Sequence, residues 1–142
     1  MAVRRETIRS QFTEAIGREL EQDEQVVAGA FTVSGPNPML GLAIGVVSML
    51  LMGMRYYYLA ITDRRVILMR ASMLSSRPAG LAFADPRSGV QFTDVKTAAV
   101  WSSLRYCRPD GKRLRLNFHR AWRDDMQAVV NSLTAVTAPP GQ

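Results

Sequence analysis

Between Tyr56 and Arg70 the chain reads YYYLAITDRRVILMR, and the charges that interrupt it cluster at one point. Tyr56 to Thr62 alternates as a strand does: Tyr57, Leu59 and Ile61 point one way, and Tyr56, Tyr58, Ala60 and Thr62 the other. Arg65 to Arg70 reads as the next strand, with Val66 and Leu68 opposing Ile67 and Met69. Only Asp63 and Arg64 lie between, and a connection that short joins antiparallel strands as a hairpin. Asp tolerates left-handed backbone and caps its own turn, so Asp63 suits the first corner. The charges interrupt the pattern because the chain reverses there.

The rest of the chain is organised around that sheet. Ile8, Phe12, Ile16 and Leu20 recur every fourth residue, which predicts one amphipathic helix ending near Leu20. VVAGAFTVS, Val26 to Ser34, reads as a strand, and Ser34-Gly35-Pro36-Asn37-Pro38 breaks it. Beyond Arg70 the short strand candidates are Gly80 to Ala84, Val95 to Trp101 and Ser103 to Cys107. Arg108-Pro109-Asp110-Gly111 is a turn, with Pro at its second position. Lys112 to Phe118 then alternates, with Leu114, Leu116 and Phe118 inward and Arg113, Arg115 and Asn117 outward. Trp122, Met126, Val129, Leu133 and Val136 form the seam of a last amphipathic helix. The fold class is therefore mainly β with flanking helices: about seven short strands in a small antiparallel barrel or sandwich with one open end, closed by the C-terminal helix. Residues 1–22 form the N-terminal helix, 23–136 the domain with an apolar insert at 39–54, and 137–142 a disordered tail.

The chain has 142 residues, enough for one domain to bury a core without staples. With 47% hydrophobic and 21% charged residues it is globular in composition. The single cysteine, Cys107, excludes an internal disulfide framework and a multi-cysteine zinc site. No leader pattern opens the sequence, so the expected location is cytoplasmic. Residues 1–25 carry four Arg and six acidic groups, whereas 26–142 carry fourteen basic and six acidic ones. Such asymmetry suits an anionic partner, although charge bears on solubility first.

One stretch resembles a known family. YLAITDRRVIL carries a Leu-x-x-Thr-Asn/Asp-x-Arg-hydrophobic pattern on Leu59, Thr62, Asp63, Arg65, Val66 and Ile67. With the preceding SGPNP turn, the later Pro-Asp-Gly-Lys turn and a closing helix, it resembles the bacterial pleckstrin-homology-like (bPH) domains, in an actinobacterial branch of that group. The likeness runs over roughly residues 20–135, in order. It implies a curled seven-stranded barrel capped by a C-terminal helix, no enzymatic activity, and membership of multimers or proximity to membrane segments. It also marks Arg65 as structural and leaves Arg64, at the turn's tip, free to meet solvent or a partner. Lipid-binding pleckstrin-homology domains place basic residues in the first inter-strand loop. Here Gly35 to Met54 holds none, which disfavours head-group binding by that route.

That loop contains MLGLAIGVVSMLLMGM, Met39 to Met54, sixteen residues without a charge. As one helix it would rise about 24 Å, short of a hydrocarbon core of about 30 Å. Arg55 and Tyr56 to Tyr58 resemble an interfacial anchor, and Gly41 and Gly45 permit close helix packing. A single crossing would separate strand 26–34 from the remaining sheet, and two crossings do not fit. What remains is a helix or hairpin in the membrane interface, a surface buried between subunits, or a cover over the barrel's end. The surface expected to carry association is Met39, Leu40, Leu42, Ile44, Val46, Val47, Leu50, Leu51 and Met52. A span is the alternative, in a membrane-inserted protein with a cytoplasmic barrel.

Convergent chemistry is scarce. His119 is the only histidine and sits at a strand-to-helix junction, where it reads as a helix-end residue. Cys107 reads as a small half-buried hydrophobe, although Arg105 and Arg108 lie close. Asp124 and Asp125 suit the first turn of a helix. No Walker loop, dinucleotide fingerprint or HExxH is present. We therefore expect no catalytic residue, cofactor or metal, and no small-molecule substrate. Arg64, Arg105, Arg108, Lys112, Arg113 and Arg115 are the candidates for an anionic partner. Nucleic acid is disfavoured, because Tyr106 and Arg105 should face opposite ways and the inward Leu114, Leu116 and Phe118 already account for the hairpin. The expected partners are a second copy, another protein or the inner membrane face.

Overall fold

The computed structural model describes residues 2–51, 54–72 and 75–137. Helix α1 covers Ala2–Gly17, followed by strand β1 at Val26–Ser34 and short helices α2 at Gly41–Ile44 and α3 at Val46–Leu51. Strands follow at Arg55–Thr62 (β2), Arg65–Ala71 (β3), Pro78–Pro86 (β4), Gln91–Lys96 (β5), Trp101–Cys107 (β6) and Arg113–His119 (β7). Helix α4, Arg123–Thr137, follows a 3-10 turn at Arg120–Trp122. All pairings are antiparallel, in the order β4-β3-β2-β1-β7-β6-β5. The seven strands make one sheet that does not close, so β4 and β5 are its edges.

The expected hairpin forms, with Ile61 opposite Val66 and Leu59 opposite Leu68. Its corner is built differently from the expectation. Among described non-glycine residues positive φ is confined to Asp23, Ser76 and Asp94, so Asp63 is not left-handed. Thr62 caps the turn instead: its Oγ1 accepts from the N–H groups of Arg64 at 3.0 Å and Arg65 at 2.7 Å. The Asp63 carboxylate accepts from the Gln25 N–H at 3.1 Å, tying the corner to the start of β1.

One core joins the sheet to both helices. Ile8, Phe12 and Ile16 from α1 and Met126, Val129 and Leu133 from α4 are buried with Leu59, Ile61, Leu104 and Phe118. Phe12 stacks on Tyr58 at 4.8 Å between centroids, and Trp122 meets the same ring edge-on at 6.2 Å. The Tyr58 ring lies over Gly29, where an added Cβ would stand 2.7 Å from the ring. Tyr58 is therefore core, which corrects its assignment to an interfacial anchor; Tyr56 and Tyr57 are only half-buried. Arg9 and Arg5 of α1 pair with Asp125 in the first turn of α4, closing the helix-helix contact.

Three further expectations change. The strand foreseen at Val95–Trp101 is split: β5 occupies Gln91–Lys96, and 97–100 is a loop. The Ser102 hydroxyl accepts from Ala98 N–H at 3.2 Å and Arg123 donates to the Ala99 carbonyl at 3.0 Å, holding that loop out of the ladder. Helix α1 ends at Gly17, short of Leu20, which is half-buried beyond it. Of the tail foreseen at 137–142, Thr137 closes α4 and the remainder lies outside the described residues.

Candidate functional site

The apolar connection starts from a built anchor. Asn117, expected to face outward into solvent, is buried. Its Nδ2 donates to the carbonyls of Val33 at 3.0 Å, Gly35 at 3.0 Å and Pro36 at 3.3 Å. Gly35 N–H donates to the Arg115 carbonyl at 3.1 Å, so the connection leaves the sheet beside β7. Asn37 Oδ1 then accepts from Met39 N–H at 3.0 Å and starts the 3-10 turn Pro38–Leu40. At the far end Met54 is buried against Val33, with Tyr56 and Trp101 packed beside them.

Gly45, with φ +86°, separates α2 from α3, so the stretch is not one helix. The six residues of α3 rise only about 9 Å. No helix among the described residues is long and apolar enough to cross a membrane. Val47 is 71% and Leu51 84% exposed, four residues apart on one face of α3. Met39 and Ile44 are exposed as well. The side chains of Leu40, Leu42, Val46 and Leu50, and the whole of Met52, lie outside the described part.

The six basic candidates separate into different environments. Arg105 stands directly opposite Arg115, and Arg113 opposite Cys107, with all three guanidinium-bearing residues exposed on one sheet face. Arg105 lies 3.4 Å from the exposed Asp94, and Arg115 Nε donates to Asn117 Oδ1 at 3.1 Å. Lys112 is exposed on the turn, where its N–H donates to Asp110 Oδ1 at 2.9 Å. Arg64 stands apart at the β2–β3 corner, exposed and 3.5 Å from Glu21.

Arg108 is committed inside the fold. Its Nε and Nη2 donate to the two oxygens of buried Asp85 at 3.0 and 3.1 Å, and its guanidinium lies 3.9 Å from the Phe83 ring centroid. Tyr106, fully buried, donates its hydroxyl to Asp85 at 2.8 Å. Burial, followed by the Asp85 hydrogen bond, pushes the Tyr106 hydroxyl's pKa upward. Tyr106 and Arg105 do face opposite ways, so no aromatic from Tyr106 is offered beside the arginines.

His119 does cap a helix end: its Nδ1 accepts from Ala121 N–H at 3.2 Å, and its ring meets Trp101 edge-on at 5.2 Å. Cys107 is half-buried, 3.6 Å from the Thr93 hydroxyl. Among the described residues no group of His, Cys, Asp or Glu is placed to hold a metal ion.

Three features were not read from the sequence. Glu24 is a buried carboxylate gripped by Arg65 at 2.6 and 3.0 Å and by the Thr62 hydroxyl at 2.6 Å. The Arg65 hydrogen bonds hold its pKa down to about 2 against the cost of burial. Arg87 is buried and donates to the carbonyls of Thr62, at 2.6 Å, and Ser132, joining β2 to α4. An open cleft of about 280 Å³ lies between α1, the 3-10 turn before α4 and the sheet, bordered by Phe31, Tyr56, Trp101, His119 and Trp122. Strand parity held a signal for the cleft, because Trp101 shares a face with Arg105; the approach of α1 was not encoded there.

The fold and these surfaces define a mainly β domain with a helix at each end and no assembled catalytic constellation among the described residues. No family model matches the chain, and no curated protein matches it. Among solved structures it is similar to the C-terminal domain of an unknown protein from Leishmania infantum, at 12% identity and a TM-score of 0.48. That likeness covers 89% of this chain and 94% of the other.

Proposed function

We propose that this chain is a non-enzymatic pleckstrin-homology-like association domain. It assembles with a second copy, or with a partner at the inner membrane face, through the apolar connection 39–51. The observation that carries this is the exposure of Val47 and Leu51 on α3, within a charge-free segment held to the sheet at both ends. Large apolar side chains presented together on a rigid base mark interaction surfaces. The Thr-Asp-Arg-Arg corner, the antiparallel strand order and the closing helix support the family reading.

Replacement of residues 39–51 by a short Gly/Ser loop tests the proposal while retaining Met54, which packs inside. The expected product keeps its circular dichroism spectrum and loses association, seen as a monomeric mass by light scattering and no recovery with membranes. Unchanged assembly of a folded loop variant would place the association surface elsewhere.

A further inference from the structure

We propose that the cleft between α1, the sheet and the turn before α4 binds a small aromatic carboxylate, with its rings against the aromatic walls and its carboxylate on Arg5. The base of the apolar connection forms part of the wall, through Val33, Asn117 and Tyr56, whereas no described residue of α3 borders it. The site therefore does not rest on association through α3.

Two sets of rings border the cleft. Phe31 meets Tyr56 at 5.6 Å and Trp122 at 6.2 Å between centroids, and Trp101 meets His119 edge-on at 5.2 Å. No ring contact bridges the two sets among the described residues, and both border the same space of about 280 Å³. Phe31, Tyr56, Trp101 and His119 are only half-buried, so the fold itself leaves part of their surface unused. A flat ring placed there takes apolar surface out of water and adds the edge and face contacts that aromatic groups prefer. Small-molecule pockets run from about 300 to 1,000 Å³, so this cleft suits a ligand of one or two rings.

Charge selects the carboxylate. Of the described residues on the border Arg5 alone carries a fixed charge, and none is acidic. The Arg5 side chain is 38% exposed and loosely held. Its Nη1 donates to the Ala121 carbonyl at 3.3 Å, and Asp125 Oδ2 stands 3.8 Å away without a hydrogen bond. Its buried Nε has no partner among the described residues. Asp125 is also shared, because it pairs with Arg9. One carboxylate thus serves two guanidinium groups, and a ligand carboxylate completes the set through charge-assisted hydrogen bonds. His119 adds a neutral donor, since its Nδ1 accepts from Ala121 N–H and the ring proton is left on Nε2. Asn117 is already committed: Nδ2 to the Val33, Gly35 and Pro36 carbonyls, and Oδ1 to Arg115. Few placed polar groups among apolar walls is the pattern of a small-molecule site.

The sequence holds two tryptophans, Trp101 and Trp122, and both border the cleft. The full chain, made with fluorinated tryptophan, is titrated with naphthoate while its fluorine resonances are followed. Naphthamide, the neutral amide of the same rings, isolates the charge, and octanoate isolates the rings. We expect saturable shifts with naphthoate, about tenfold weaker binding of naphthamide, and severalfold weaker binding of octanoate. Arg5→Gln should weaken naphthoate binding about tenfold. It should leave naphthamide binding unchanged, which shows the cleft intact. The native preference for acid over amide decides the question even where Arg5→Gln fails to fold. Trp101→Leu should weaken both aromatic ligands. Val47→Asp/Leu51→Asp should bind naphthoate as the native chain does, so that loss of association and loss of ligand are separate results. The site is overturned by absent saturation, or by naphthamide or octanoate binding the native chain as tightly as naphthoate. Unweakened naphthoate binding by folded Arg5→Gln, or its loss in the α3 variant, overturns it equally.

Discussion

Glu24 shows how a single side chain holds the hairpin corner together. Both of its oxygens are taken by Arg65, and one also by the Thr62 hydroxyl that caps the turn. Its pKa is lowered to about 2 by those partners. A depressed carboxylate stabilises the fold above its unfolded pKa, near 4.5, and that contribution disappears as pH falls through the folded value. Native stability measured by urea unfolding should thus decline between about pH 4.5 and pH 2. Glu24→Gln should lose on the order of 3 kcal/mol at neutral pH and flatten that part of the profile. Arg65 was legible as a structural residue from the local Thr-Asp-x-Arg pattern. Its partner was not, because an ion pair across 41 positions leaves no periodic trace. The Asp85–Arg108 pair was hidden for the same reason: Arg108 read as a candidate for an anionic partner, and in the fold the buried Asp85 carboxylate takes it instead.

At the scale of the element, the two helices and the sheet explain which segments could be read. Strands β1, β2, β3 and β7 stand close to their expected bounds; β2 and β3 are buried on both faces over 58–62 and 66–69, so they show as apolar runs bounded by the charges of the corner. The edge strand β5 is exposed at nearly every position, so it offers no alternation and was misplaced by several residues. Helix α1 carries a visible stripe, yet the target of that stripe lies in the tertiary structure. Phe12→Ala removes the ring stacked on Tyr58 and opens a cavity at the α1–sheet contact. It should cost about 3–5 kcal/mol in chemical denaturation. Asn117 marks the opposite limit, since parity placed it outward and the returning chain covers it. Asn117→Ala leaves the Val33, Gly35 and Pro36 carbonyls without their donor. A loss of about 2 kcal/mol is expected, with faster amide exchange across residues 33–39 as the local signature.

For the whole molecule, the open sheet poses the question of how it avoids or makes contacts. Both edges are blunted: β4 begins and ends with Pro78 and Pro86, and β5 carries the irregularity at Asp94 and the charge of Lys96. Such edges resist strand addition, which turns attention from the edges to the exposed apolar face of α3. The charge-free run was conspicuous in the sequence. Its division into two short helices at Gly45 was not, and that division removes the continuous helix a span requires. The measurement that bears most directly on function is molar mass by light scattering across a hundredfold concentration range, with and without anionic vesicles. The native chain is compared with Val47→Asp/Leu51→Asp, a pair of changes at exposed positions that should leave the fold intact. The association surface predicts assembly or vesicle binding by the native chain and neither by the variant. A native chain that stays monomeric and free of vesicles, or a folded variant that assembles equally well, would contradict it.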